Sequence, residues 1–341
     1  MRRIICLLTG LLALVLLLWL GVAHAIVMPS YLAAWLALAS FPLGALALLM
    51  GIEASGKAEL PIAACLRPIL LLMPVVAVLA LPILLRPSAL FPWLHDRAQG
   101  FAGAWFAHGP FLIRQILLLA VWCALAWLYW RAPPASRAAG RRSGSALALL
   151  LHVALVTVAA DDWVMSLQPG FLPSGFGLLL LSAQCGSALS LALLLPTRLA
   201  RESPAQGSGL KRGGPTLLLM LLGVWAFLHF TQFLIVWSAN LPHEAVWYLS
   251  RGSGLGEAAE WLLPIMLLLA LVVLSWRPSG LLVPMAALVL AMHLVEMLWL
   301  VTPSFRGHFL LNLPDLLALL GMAGLALALI PMSRERHRGA A

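Results

Sequence analysis

"YLAAWLALASFPLGALALLMG", residues 31–51, carries no charged side chain. As an α-helix rising about 1.5 Å per residue it reaches across the roughly 30 Å hydrocarbon core of a bilayer. A run this uniformly apolar has no polar stripe to leave in water, so it reads as a helix surrounded by lipid or protein on every side. Working outward in both directions, the same criterion predicts ten spanning helices: 4–26, 31–51, 68–86, 111–130, 146–165, 176–196, 216–238, 258–276, 280–302 and 313–332. Pro74, Pro82 and Pro264 fall inside these runs and are expected to kink them, since neighbouring helices and polar side chains can satisfy the freed carbonyls.

Composition agrees. Of 341 residues, 63% are hydrophobic and 10% charged, against roughly a quarter charged in soluble domains. The predicted fold class is therefore an all-α polytopic membrane protein, one integral-membrane domain over 1–341. The net charge of +9 does not point to nucleic acid, because the basic residues sit in short clusters between apolar runs, where they orient helices. With the N-terminus in the cytoplasm, sixteen Lys and Arg fall on the inner side and five (Arg86, Arg97, Arg114, Arg251 and Arg306) on the outer side. That bias favours an even number of spans with both termini cytoplasmic. The start of the chain, Arg2-Arg3 followed by Ile4 to Val22, resembles a secretory signal, but the apolar run exceeds the 7–15 residues or so of a signal core, so a retained helix is expected.

The longest inner links, "RAPPASRAAGRRSGS" (131–145) and "TRLARESPAQGSGLKRGG" (197–214), read as flexible connectors. No soluble domain fits between the spans, so a nucleotide, iron-sulfur or cytochrome module would belong to a partner. Cys6, Cys65, Cys123 and Cys185 lie far apart without metal-binding spacing and read as small packing residues. A short internal echo, Asp162, Pro169, Phe171 against Glu296, Pro303, Phe305, suggests two similar helix bundles.

Ionisable side chains inside spans cost about 2.5–3.5 kcal/mol each on insertion scales and so require a partner, water or a purpose. Asp161, Asp162, His229, Gln232, Asn240, His243, Glu244, His293 and Glu296 all fall toward the predicted outer side. The inner half is nearly dry, with His152, Thr157, Gln184 and Ser187 as the candidates to extend a hydrogen-bonded path inward. His229 with Gln232, and His293 with Glu296, are three apart and share helix faces. Each has a structural alternative: Asp162 capping a loop or pairing with an outer arginine, His229 with Gln232 acting as interhelical glue. An acid and a base on one buried face, His293 with Glu296, favours function. Trp163, Trp237, Trp247 and Trp299 read as interfacial belt aromatics.

Two motifs carry a resemblance. "DWVMSLQPGF" (162–171) and "FTQFLIVWSANLPHEAVWYLSR" (230–251) resemble those of the NrfD-like, polysulfide-reductase-type membrane subunit family, specifically the second such subunit of bacterial alternative complex III. The matching positions are Asp162, Trp163, Met165, Ser166 and Pro169, then Phe230, Gln232, Phe233, Ile235, Trp237, Asn240, Pro242, Glu244, Trp247, Tyr248 and Arg251. The family's paired acids after the proline are here His243 and Glu244, and Asp161 precedes the Asp-Trp pair. The resemblance implies two four-helix bundles with flanking helices, in a quinol:electron-acceptor oxidoreductase of the inner membrane of a bacterium. It also implies a sister NrfD-like subunit, an iron-sulfur subunit and c-type cytochrome subunits as partners. Haem c and iron-sulfur clusters would then reside in those partners, and this chain would bind no cofactor, quinol excepted. The expected role is a non-catalytic scaffold with an outer-half proton relay through Asp161, Asp162, His229, Gln232, Asn240, Glu244, His293 and Glu296. The alternatives are a quinol-binding subunit in its own right and a stand-alone ion or proton transporter.

Overall fold

The computed structural model describes residues 2–23, 27–57, 60–95, 100–131, 139–168, 170–195, 204–240, 242–252 and 281–330, together with positions 265, 268–270, 272 and 273. These residues form helices and connecting turns, with no strand among them. Helix α1 spans Arg2–Ala23, α2 Val27–Ala54, α3 the composite Pro61–Leu85, α4 His108–Arg131, α5 Ala139–Trp163 and α6 Phe176–Leu194. After these come α7 (Pro204–Ala239), the short α8 (Pro242–Leu249), α9 (Leu282–Val301) and α10 (Leu313–Leu329). Seven segments, from α2 to α7 plus the one beginning at Leu282, are long and apolar enough to cross a membrane. Helices α1 and α10 contribute shorter apolar stretches. The protein thus has the architecture of a multi-pass membrane protein. The predicted span 258–276 lies almost wholly outside the described residues, as does Pro264.

The prolines act as expected in α3 but more strongly than single kinks. Pro61, Pro68, Pro74 and Pro82 each fall in the first turn of a short segment, and Arg67–Leu72 is wound as a 3-10 helix. A proline lacks the N–H that would continue the preceding turn, so spacing several of them closely re-initiates the helix each time. Helix α10 begins with Asp315 accepting a hydrogen bond from the Asn312 backbone N–H at 2.8 Å, which ties down the helix entry.

Helix α2 is the hub. It packs against α3, α5, α6, α9 and α10, and nearly every residue of its apolar window is buried. Gly44 sets its approach to α6, because a Cβ there would overlap the backbone carbonyl of Gln184. The same device joins α1 to α10, where Gly10 faces Gly321 and Gly324 across a contact that a side chain would block. Cys65 and Cys185 are buried thiols, as packing residues would be. Trp163, Trp247 and Trp299 are also buried, which corrects the belt assignment for three of the four tryptophans; Trp237 is exposed. Their rings are consumed by packing: Trp163 meets Trp35 edge-on at 4.8 Å, and Trp247 stacks on Phe171 at 3.9 Å. The internal echo does not extend to packing, since Phe171 is buried while Phe305 is 37% exposed.

Candidate functional site

Helix α7 places Trp225, His229 and Gln232 along one face, and α9 does the same with Val289, His293 and Glu296. Where these faces meet, the Glu296 carboxyl becomes the focus of three aromatic side chains. Trp225 donates its indole N–H to Oε1 at 2.7 Å, and His229 Nε2 lies 2.9 Å from the same oxygen. His293 Nδ1 lies 3.7 Å from Oε2, beyond direct hydrogen-bond reach. The rings of Trp225 and His229 are 4.4 Å apart. Glu296 and His293 are buried, and His229 is partly exposed. Beside the cluster is a narrow recess, lined by Ser182 and Ser187 of α6, Trp225 of α7, and Met292, His293 and Glu296 of α9.

Asp162 belongs elsewhere. Arg114 of α4 grips it with two bonds, Nε to Oδ2 at 2.7 Å and Nη2 to Oδ1 at 2.6 Å, and Gln115 Nε2 donates to Oδ2 at 2.5 Å. Gln115 in turn accepts from Trp163 Nε1 at 2.6 Å. The guanidinium is flanked by Trp105, whose ring centroid is 4.1 Å away and whose carbonyl accepts from Nη1 at 3.2 Å. Pairing with an arginine, the structural alternative for Asp162, is the arrangement found. Asp161, its neighbour, is half-buried outside the recess.

The remaining expected site residues also separate from the Glu296 cluster. Gln232 is buried one turn beyond His229 but does not reach the carboxyl. Asn240 ends α7 with φ 47°, the left-handed conformation that asparagine tolerates better than most residues, so its signal is a helix stop. Glu244 sits in the first turn of α8, where its charge complements the helix dipole. The His243 side chain lies outside what is described. Of the four groups expected to lead inward, only Ser187 lines the recess. Thr157 bonds its own helix at Val153, His152 accepts from Trp122 Nε1 at 3.1 Å, and Gln184 is buried apart. The residues expected to form one relay are therefore divided among separate clusters, because arginine side chains reach some of the acids first.

Three clusters escaped sequence reading. Asp315 is clamped by Arg306 at 2.8 and 2.9 Å and receives the Ser30 hydroxyl at 2.6 Å. Glu53, in the last turn of α2, is buried against Arg67 and Ser145, and Tyr129 donates to Ser145 at 2.9 Å, so the end of the bundle expected to be dry holds a buried acid. Arg251 is fully buried. Its five N–H groups go to the carbonyls of Trp299, Trp247 and Leu300 and to the hydroxyls of Ser250 and Ser304. Burial lowers its pKa from the ordinary value, and the indole face of Trp247, 3.2 Å away, supports the charge. A recurrent small acid plus a basic residue far away in sequence is the only signal available for such pairs, and it is too common to single them out.

No protein-family model matches the chain, and no curated protein matches it.

Proposed function

We propose that this chain is a non-catalytic integral-membrane subunit of a respiratory quinol:electron-acceptor oxidoreductase of the alternative complex III type. In this reading it sits in the inner membrane of a bacterium with ten spans in two four-helix bundles and both termini in the cytoplasm. Its partners are a sister NrfD-like subunit, an iron-sulfur subunit and c-type cytochromes, which carry the clusters and haems. The motifs around Asp162 and from Phe230 to Arg251 support the family assignment. The chemistry rests on one observation, the identity of the counter-groups around the buried acids. Asp162 and Asp315 are held by arginines, which do not release protons in proteins. Glu296 is held by imidazole and indole, and imidazole is the side chain that changes charge near neutral pH.

The relay is therefore narrower than the sequence alone proposed. Glu296 exchanges a proton with His229, which is 24% exposed and provides the outlet, and His293 stands on the other side of the carboxyl. Asp162 is part of the scaffold. The narrowness of the recess favours water over a quinol headgroup as its occupant, which weighs against the quinol-binding alternative.

Two measurements test this. Gentle detergent extraction followed by mass spectrometry is expected to recover haem and iron-sulfur proteins with the chain, and recovery of the chain alone would overturn the subunit assignment. In vesicles containing the assembled complex, Glu296→Gln and His229→Gln are expected to slow proton release more than quinol oxidation. Full proton release in both variants would leave a scaffold and end the relay.

A further inference from the structure

His293 is 3% exposed, and neither ring nitrogen has a hydrogen-bond partner among the described residues. A buried imidazole left this way forfeits roughly 1–3 kcal/mol, so a helix face that places it there needs a compensating group. The recess supplies the position. His293 lines it together with Glu296, Ser182 and Ser187. The two serine hydroxyls donate to their own helix, at Leu179 O and Gln184 O, 2.7 and 2.9 Å away. Their lone pairs remain as acceptors. The separation of 3.7 Å between His293 Nδ1 and Glu296 Oε2 is too long for a direct bond and suits two groups that share a bridging molecule.

We infer that the recess between α6, α7 and α9 is a water site, holding roughly one or two molecules that link His293 and Glu296 to the α6 hydroxyls. Each partner has a complementary function. Neutral imidazole offers one N–H and one lone pair, the carboxylate accepts, the serine oxygens accept, and a water both donates and accepts. Three such bonds per molecule is the usual complement of a buried water. The apolar wall at Met292 and Leu222 limits the site to water-sized occupants. The inference deepens the relay reading and rests on the same cluster, giving Glu296 a continuation toward α6 that no side chain makes directly.

Radiolytic hydroxyl-radical footprinting of the full chain in lipid nanodiscs tests it, because radicals form from water in place and oxidise the sulfur nearest to them. Met292 lines the recess, while Met50 and Met73 are fully buried away from it. The expected result is oxidation of Met292 with Met50 and Met73 protected. Ser187→Val, which fills the recess and removes an acceptor, is expected to abolish the Met292 label. Protection of Met292 equal to that of Met50 and Met73 in the wild type would overturn the water site, as would an unchanged label in a Ser187→Val variant whose Met50 and Met73 stay protected. If Met50 and Met73 become labelled in that variant, the fold has been disturbed and the wild-type contrast decides alone. The footprint reads water and not turnover: full proton release in both Glu296→Gln and His229→Gln would end the relay and leave the wild-type Met292 label standing.

Discussion

Replacing Asp162 by Asn isolates the Arg114 guanidinium in a site built for its charge. The side chain of Arg114 is 14% exposed and that of Asp162 is fully buried, so solvent screens the pair little. Breaking a buried ion pair from one side costs about 3–5 kcal/mol, chiefly because the surviving charge keeps its burial and loses its counter-charge. Asn retains one carbonyl oxygen for Gln115 or Arg114, which places Asp162→Asn toward the lower end of that range. Arg114→Gln also loses the contact with Trp105, worth about 0.5–2 kcal/mol, and belongs at the upper end. The double variant removes both charges and is expected to be more stable than the sum of the two single losses, by roughly 0.5–3 kcal/mol of coupling. Thermal unfolding followed with a thiol-reactive dye suits this chain, because Cys65 and Cys185 are buried thiols that react when the helices separate. Losses under about 1 kcal/mol in both single variants, or strict additivity in the double, would refute the scaffold role of this pair.

Three further outcomes follow from packing and spectroscopy. Gly44→Ala forces α2 and α6 apart and is expected to destabilise by about 1–3 kcal/mol, whereas Gly51→Ala on the same helix meets nothing and is expected to be neutral or slightly stabilising in the same dye assay. Arg251→Lys replaces five fixed donors by three and leaves carbonyls of α9 unpaired, so a loss of about 2–4 kcal/mol is expected, and wild-type stability would show that the clamp is dispensable. Trp225 donates its indole N–H to the Glu296 carboxyl, so Trp225→Phe is expected to shift the infrared band of that buried group, and an unchanged band would show that the indole bond is not made.

The helical spans were legible because lipid imposes a simple rule of length and polarity. Each of the seven long segments overlaps a predicted span. The division of the acids among separate clusters was not legible. Asp162 and Glu296 look alike in sequence, each near a helix end with a proline seven residues on, yet one meets an arginine 48 positions earlier and the other a histidine 67 positions earlier. Partners that remote are chosen by helix packing, which no local pattern encodes. The i,i+3 pair His293 and Glu296 was legible as a shared face, but not that its nitrogen and oxygen would stand 3.7 Å apart. Asn240 and Glu244 show the opposite difficulty: helix stops and first-turn acids use the same residues that chemistry does.

Helix α2 ends walled in by protein, yet it is as greasy as a lone span, with a mean hydropathy of 2.0 and its single charge, Glu53, held back to the last turn. A position enclosed on all sides would tolerate more polar character. The explanation lies in timing: α2 leaves the ribosome before α5, α6, α9 and α10 exist, and until they arrive its flanks have only acyl chains for company. Its composition records that interval, and a polar substitution at its centre is therefore expected to be felt during insertion, before the finished bundle has any chance to shelter it.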